Sequence, residues 1–154
     1  MSSSETRPLS ASMAELVSVL LKEGADVRLR LTGWSMKPLV PSGSLLCFSA
    51  IQEPRIGDVV LTRLPNHAMV AHRVIAMDSK RIWTKGDACR TADGPVPRAS
   101  VIARAVRLEG AFPLPLSSFS MRAFGLALNR IYPAVVASYR FLVPRVTPGE
   151  SASC

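Results

Sequence analysis

The segment TGWSMKP at residues 32–38 places one serine, Ser35, between a tryptophan and a methionine. A glycine before it and a proline after it favour a turn, in which the hydroxyl can be exposed. A serine becomes a nucleophile when a base within hydrogen-bond reach takes its proton and an acid orients that base. Taken alone, the segment favours an ordinary turn, so any chemistry depends on residues elsewhere.

The chain offers few bases for such a serine. Its two histidines are His67, in the turn-like LPNHAM, and His72, in the middle of the strand-like MVAHRV. A histidine on the apolar face of a strand is more often a core residue than a catalyst. Lys85 lies in a polar Thr-Lys-Gly-Asp turn, and Lys37, two residues from Ser35, points elsewhere if the segment is extended. Neither has the apolar surroundings that a lysine base needs.

Two candidate acids follow in the segment TKGDACRTAD, at residues 84–93. Asp87 comes after a glycine, and Asp93 precedes a glycine and a proline. Each aspartate is typical of a turn when considered alone. The residue types therefore leave the base and the acid open.

The elements that must position these residues are mostly strands. An alternation with period two begins at VRLRLT, and Pro, Gly and Asn separate the later apolar runs. Many short strands joined by turns predict a mainly β fold, a compact, bent sheet or partial barrel. The predicted strands cover residues 27–32, 44–48, 58–62, 69–76, 81–84 and 100–108.

Helical patterns lie at both ends of the chain. Residues 12–24 predict a short amphipathic helix with an apolar stripe formed by Met13, Leu16, Val17, Leu20 and Leu21. Residues 117–143 are compatible with a second helix, which either packs on the sheet or lies on a membrane surface. Pro133 and Asn129 favour the packed alternative, because they interrupt a regular interfacial helix.

These patterns divide the chain into three parts. We expect residues 1–26 to form an N-terminal tail and short helix, residues 27–108 a β-domain that contains the candidate site, and residues 109–154 a C-terminal helical segment and tail. A chain of 154 residues with 48% apolar and 19% charged residues is typical of a globular domain.

The net charge of +8 suits an anionic partner or serves solubility alone. No zinc-finger spacing or aromatic-interleaved basic motif gives specific support for nucleic acid. We find neither an apolar signal segment nor an uninterrupted membrane span, so we expect a cytoplasmic protein. The segment 117–143 adds a membrane surface as a candidate contact.

The order of four motifs resembles the type I signal peptidase family, part of a larger group that includes the self-cleaving SOS repressors. The motifs are GWSMKP, GDVV, HRVI and TKGDACRTAD, and the resemblance covers about Val27 to Arg107. Family members carry the nucleophile in a GxSMxP box. One branch, of the endoplasmic-reticulum type, uses a histidine followed by arginine as base, and His72-Arg73 is similar to that branch.

The resemblance implies a role for each candidate residue. Ser35 would be the nucleophile, His72 the general base, Asp93 the orienting acid and Asp87 a supporting acid. Residues of the serine box would shape the oxyanion hole and position substrate, namely Gly33, Met36 and Pro38. No metal and no cofactor is implied.

The implied function is a serine endopeptidase that cleaves an exposed peptide segment. Two alternatives remain open at this stage. The scaffold could be a non-catalytic peptide-binding or regulatory module, or it could be a self-cleaving regulator.

Overall fold

The computed structural model describes residues 11–51, 53–66 and 68–142. The expectations for the two tails and for His67 lie outside these residues. The first helix, α1, spans Ala11–Lys22. Its buried side is formed by Ala14, Val17 and Leu21, whereas Met13 and Leu16 are about half exposed. The buried stripe therefore matches the predicted one only in part: Val17 and Leu21 are buried and Leu20 packs against the same core.

Seven strands within the described residues form one sheet, and the prediction of a mainly β fold is confirmed. Neighbouring strands pair antiparallel in the order β1-β2-β7-β3-β4-β5-β6, and the sheet curls into a half-barrel. The strands are β1 (Val27–Arg30), β2 (Leu45–Ala50), β3 (Val59–Arg63), β4 (Met69–Met77), β5 (Arg81–Lys85), β6 (Val96–Pro97) and β7 (Val101–Leu108). The two-residue β6 falls where the sequence predicted only a turn.

The main core lies between α1 and the inner face of the curled sheet. It consists of apolar residues from α1, from β1, β2, β3, β4 and β7, and from the loop that carries Ser35. Register shifts within the β2–β7, β3–β7 and β4–β5 pairs increase the local bending of the strands. The curvature brings the loop after β1 close to β4 and β5.

The second helix, α2, spans Phe119–Leu142 and contains Pro133. One side packs on the rest of the protein, with Arg122 and Leu126 against the backbone of Gly57. The opposite side leaves Phe124, Ile131 and Val135 more than half exposed. None of the helices in the described part of the chain is long and apolar enough to cross a membrane.

Candidate active site

Ser35 lies in the loop between β1 and β2, on a turn that packs against the main core. Gly33 has a φ of 110°, a left-handed conformation that glycine adopts without the steric cost of a Cβ. Met36 is buried in the main core, so its side chain fixes the turn from the inside. Pro38, after a cis peptide bond, lies exposed at the far end of the turn.

His72 projects from the middle of β4 towards this turn. It pairs with Val60 of β3, so its backbone is held by a central part of the sheet. Its Nε2 lies 3.1 Å from Ser35 Oγ, and its side chain is only 12% exposed. A base on a paired strand has few rotamers and little backbone freedom, which keeps the imidazole at a fixed distance from the serine.

Asp93 completes a chain of three side chains. Its Oδ2 lies 2.7 Å from His72 Nδ1, and the same oxygen accepts a 2.7 Å hydrogen bond from the Thr84 hydroxyl. Burial alone would raise the pKa of Asp93. The hydrogen bond and charge of His72 and the hydroxyl of Thr84 together outweigh burial and lower this pKa below its ordinary value. Asp93 is therefore an ionised acceptor at neutral pH.

Asp87 is fully buried on the other side of β4, beneath α2. It forms a bidentate ion pair with Arg73, with N–O distances of 2.8 and 2.7 Å, and accepts a 2.9 Å hydrogen bond from Asn129. Arg73 also donates to the Gly57 carbonyl. Since Arg73 follows His72 on the strand, the two side chains point to opposite faces. Both oxygens of Asp87 thus contact residues on the opposite face of β4 from the His72 side chain.

The two lysines that could replace histidine as a base have other partners. Lys37 Nζ lies 3.5 Å from the centroid of the Trp34 ring, a cation–π contact. Lys85 Nζ donates to the Asn129 carbonyl at 2.7 Å. Burial lowers the pKa of Lys85, although the charge of Asp87 opposes the shift. His72 is the base whose ring nitrogen lies within hydrogen-bond distance of Ser35.

Sequence reasoning missed the way the segment 84–88 supports Ser35. The Ala88 amide donates to the Ser35 carbonyl at 2.7 Å. A Cβ at Gly86 would lie 2.7 Å from the same carbonyl oxygen and 2.9 Å from Ser35 Cβ, so only glycine allows this approach. The Lys-Gly-Asp motif contained this glycine, but its contact with the serine depends on the curl of the sheet.

A serine, a histidine and an aspartate that are linked one to the next by hydrogen bonds on a curled β-sheet are features of a serine peptidase-type fold. Residues 3–106 match the model of the Peptidase S24-like family, which is more than half of the chain, so the chain belongs to this family. The match includes all three side chains and ends before α2. No curated protein and no solved structure matched the chain significantly.

Proposed function

We propose that this protein is a serine endopeptidase resembling type I signal peptidase, with histidine as its base. The observation that carries the proposal is the pair of contacts made by His72, 3.1 Å to Ser35 Oγ and 2.7 Å to Asp93 Oδ2. Both distances fall within the range of a working nucleophile, base and acid.

The proposed reaction begins with proton transfer from Ser35 to His72. The Asp93 carboxylate accepts the Nδ1–H of His72, which leaves the lone pair on Nε2 facing the serine hydroxyl. Ser35 Oγ then attacks the scissile carbonyl as His72 takes the proton. The imidazolium returns this proton to the leaving amine, and an acyl-enzyme remains on Ser35. A water molecule, deprotonated by His72, hydrolyses the acyl-enzyme and regenerates the serine.

The turn that carries Ser35 would also stabilise the oxyanion. The amide of Ser35, with a donor from the Gly33 side of the turn, would face the negative oxygen of the tetrahedral intermediate. Gly33 N–H donates to Ser42 Oγ at 3.2 Å, so this amide would exchange the Ser42 hydroxyl for substrate. Such an exchange is inexpensive because the Gly33–Ser42 hydrogen bond is exposed.

An extended peptide is the substrate that this site accommodates best. β1 is an edge strand of the sheet and leads directly into the Ser35 loop. A peptide that adds to this edge would receive main-chain hydrogen bonds and run towards the serine. The resemblance to signal peptidases favours small residues before the scissile bond.

Labelling with a fluorophosphonate probe tests the proposal directly. We expect the wild-type protein to be labelled on Ser35, and the variants Ser35→Ala and His72→Ala to lose about 1,000-fold or more in labelling rate. Ser79→Ala, at an exposed serine beyond β4, is the matched control and should leave labelling unchanged. A folded wild-type protein that resists the probe would favour the non-catalytic module instead.

Membership of the S24-like family gives a reason to test self-processing as a second candidate. The purified chain is incubated alone and compared with the Ser35→Ala variant by mass spectrometry. One discrete cut that requires Ser35 would assign the chemistry to the chain itself. Cleavage of added peptides without any self-cleavage would assign it to a substrate in trans.

A further inference from the structure

Helix α2 lies beyond the family-matched residues, yet it contacts the segment that supports Ser35. Asn129, in the middle of α2, is only 2% exposed. Its side-chain amide donates to Asp87 Oδ1 at 2.9 Å, and the carbonyls of Lys85 and Gly86 lie 3.4 Å away. A buried amide amid three acceptors of one turn is a specific contact, because an unpaired polar group there would be costly.

Pro133 explains why the backbone of Asn129 takes part as well. In a regular helix the carbonyl of residue 129 accepts from the amide of residue 133, but proline has no amide hydrogen. The carbonyl of Asn129 accepts instead from Lys85 Nζ at 2.7 Å. The proline thus frees the carbonyl of the same residue whose side chain bonds to the turn.

The turn at residues 85–88 that Asn129 contacts also contacts Ser35. Gly86 lies directly against Ser35, and the Ala88 amide donates to the Ser35 carbonyl. Asn129 therefore stands two contacts away from the Ser35 hydroxyl, behind a segment that packs directly on Ser35. A displacement of about 1 Å at a reacting group is enough to lower a rate about 100-fold.

We propose that Asn129 is a positioning residue: together with Pro133 it holds the turn at residues 85–88 against Ser35 and so maintains the distance from Ser35 to His72. The inference rests on the proposed function for its chemical consequence, but not for the contact itself. Asn129 does not touch the site where a peptide would bind. Its loss should reduce the reactivity of Ser35 and leave the affinity for a reagent unchanged.

The test uses the full chain with the substitution Asn129→Ala, and Arg130→Ala as the matched control. Arg130 is the next residue and is exposed. We expect Asn129→Ala to lower the maximal rate of fluorophosphonate inactivation about 10- to 100-fold, with an unchanged half-saturating concentration. Arg130→Ala should keep the wild-type rate. An unchanged maximal rate in folded Asn129→Ala would overturn the proposal.

A second measurement does not depend on activity. Hydrogen exchange at the Ala88 amide reports whether the turn stays bonded to Ser35. We expect faster exchange in Asn129→Ala and wild-type exchange in Arg130→Ala. If the wild-type protein is not labelled at all, the proposed function fails, and unaltered exchange at Ala88 would refute the positioning role separately. Faster exchange with an unchanged inactivation rate would reduce Asn129 to a structural residue.

Pro133→Ala provides a variant that is expected to fold if Asn129→Ala does not. Alanine restores an amide at residue 133, which competes with Lys85 for the Asn129 carbonyl, and it favours the helix. We expect slower labelling of Ser35 without a loss of helix content measured by circular dichroism. Wild-type labelling by this variant would contradict the contribution of Pro133.

Discussion

Asp93 is the residue whose role in the proposed mechanism can be tested most selectively. Replacing it by Asn keeps the shape but turns an acceptor into a group that can donate to His72, so the imidazole would hold its proton on the wrong nitrogen. We expect Asp93→Asn to lower the rate of peptide cleavage about 1,000- to 10,000-fold with little change in KM. Steady-state kinetics with a peptide substrate measures both values. A loss of less than about tenfold would remove Asp93 from the mechanism.

The lowered pKa of Asp93 also predicts how stability depends on pH. The ordinary value for this carboxyl is 3.8, and the folded value lies below it. The unfolded chain therefore binds more protons in this window, and the stabilisation is fully present above the ordinary pKa and lost as the pH falls through the folded value. Urea unfolding at about pH 6 and about pH 3 should show the difference in unfolding free energy between wild type and Asp93→Asn shrinking at the lower pH. A difference that does not vary with pH would contradict the shift.

Among individual residues, the sequence identified those whose types and spacing are distinctive. Ser35, His72 and Asp93 were named from motifs, and the structure brings them together, while their roles remain a proposal. The sequence placed Thr84 in a strand without assigning it a role. Its hydroxyl reaches Asp93 only because the turn after β5 folds back on the strand. Asn129 and Pro133 were named only as interruptions of an interfacial helix, although a proline four residues later also leaves the Asn129 carbonyl without its helical partner.

At the scale of elements, the turn after β5 is the part that cannot tolerate a change in shape. Gly86→Ala would place a methyl group 2.7 Å from the Ser35 carbonyl oxygen and from Cys89 Sγ. The Ser35 turn would have to move, and we expect the labelling rate of Ser35 to fall about 100-fold. Gly94→Ala is the matched control, since nothing lies within 4 Å of its added Cβ. Equal labelling rates in the two variants would show that the close approach of Gly86 is unimportant.

The elements themselves were largely predictable from periodicity. Short alternating or continuous apolar runs indicated six of the seven strands in the described residues, and β6 was missed because two residues, one of them proline, carry no period. The predicted stripe on α1 was right at Val17, Leu20 and Leu21, which lie in or against the core. It was wrong at Met13 and Leu16, which are about half exposed. The strand order and the register shifts involve residues distant in sequence, so no local pattern contains them.

Considered as a whole, the molecule packs α2 on its sheet over the buried ion pair of Arg73 and Asp87. Arg73 and Asp87 are almost completely buried, and Gly125 of α2 lies so close to the guanidinium that an added Cβ would be 2.3 Å from its central carbon. Asn129 bonds to the same carboxylate. The pair therefore occupies the interface that connects the helix to the back of the candidate site.

Two variants can separate the cost of leaving one charge of this pair unpaired from the net contribution of the pair to the free energy of unfolding. Asp87→Ala leaves a buried guanidinium without its counter-charge, and we expect it to lower the free energy of unfolding by about 3–5 kcal/mol. In the Arg73→Met/Asp87→Leu double variant neither charge of this pair remains, so its loss should be smaller than that of Asp87→Ala alone. Urea unfolding followed by circular dichroism measures both losses. If the double variant is less stable than Asp87→Ala, the ion pair itself holds α2 against the sheet. The loss in Asp87→Ala could then not be attributed to the unpaired charge alone.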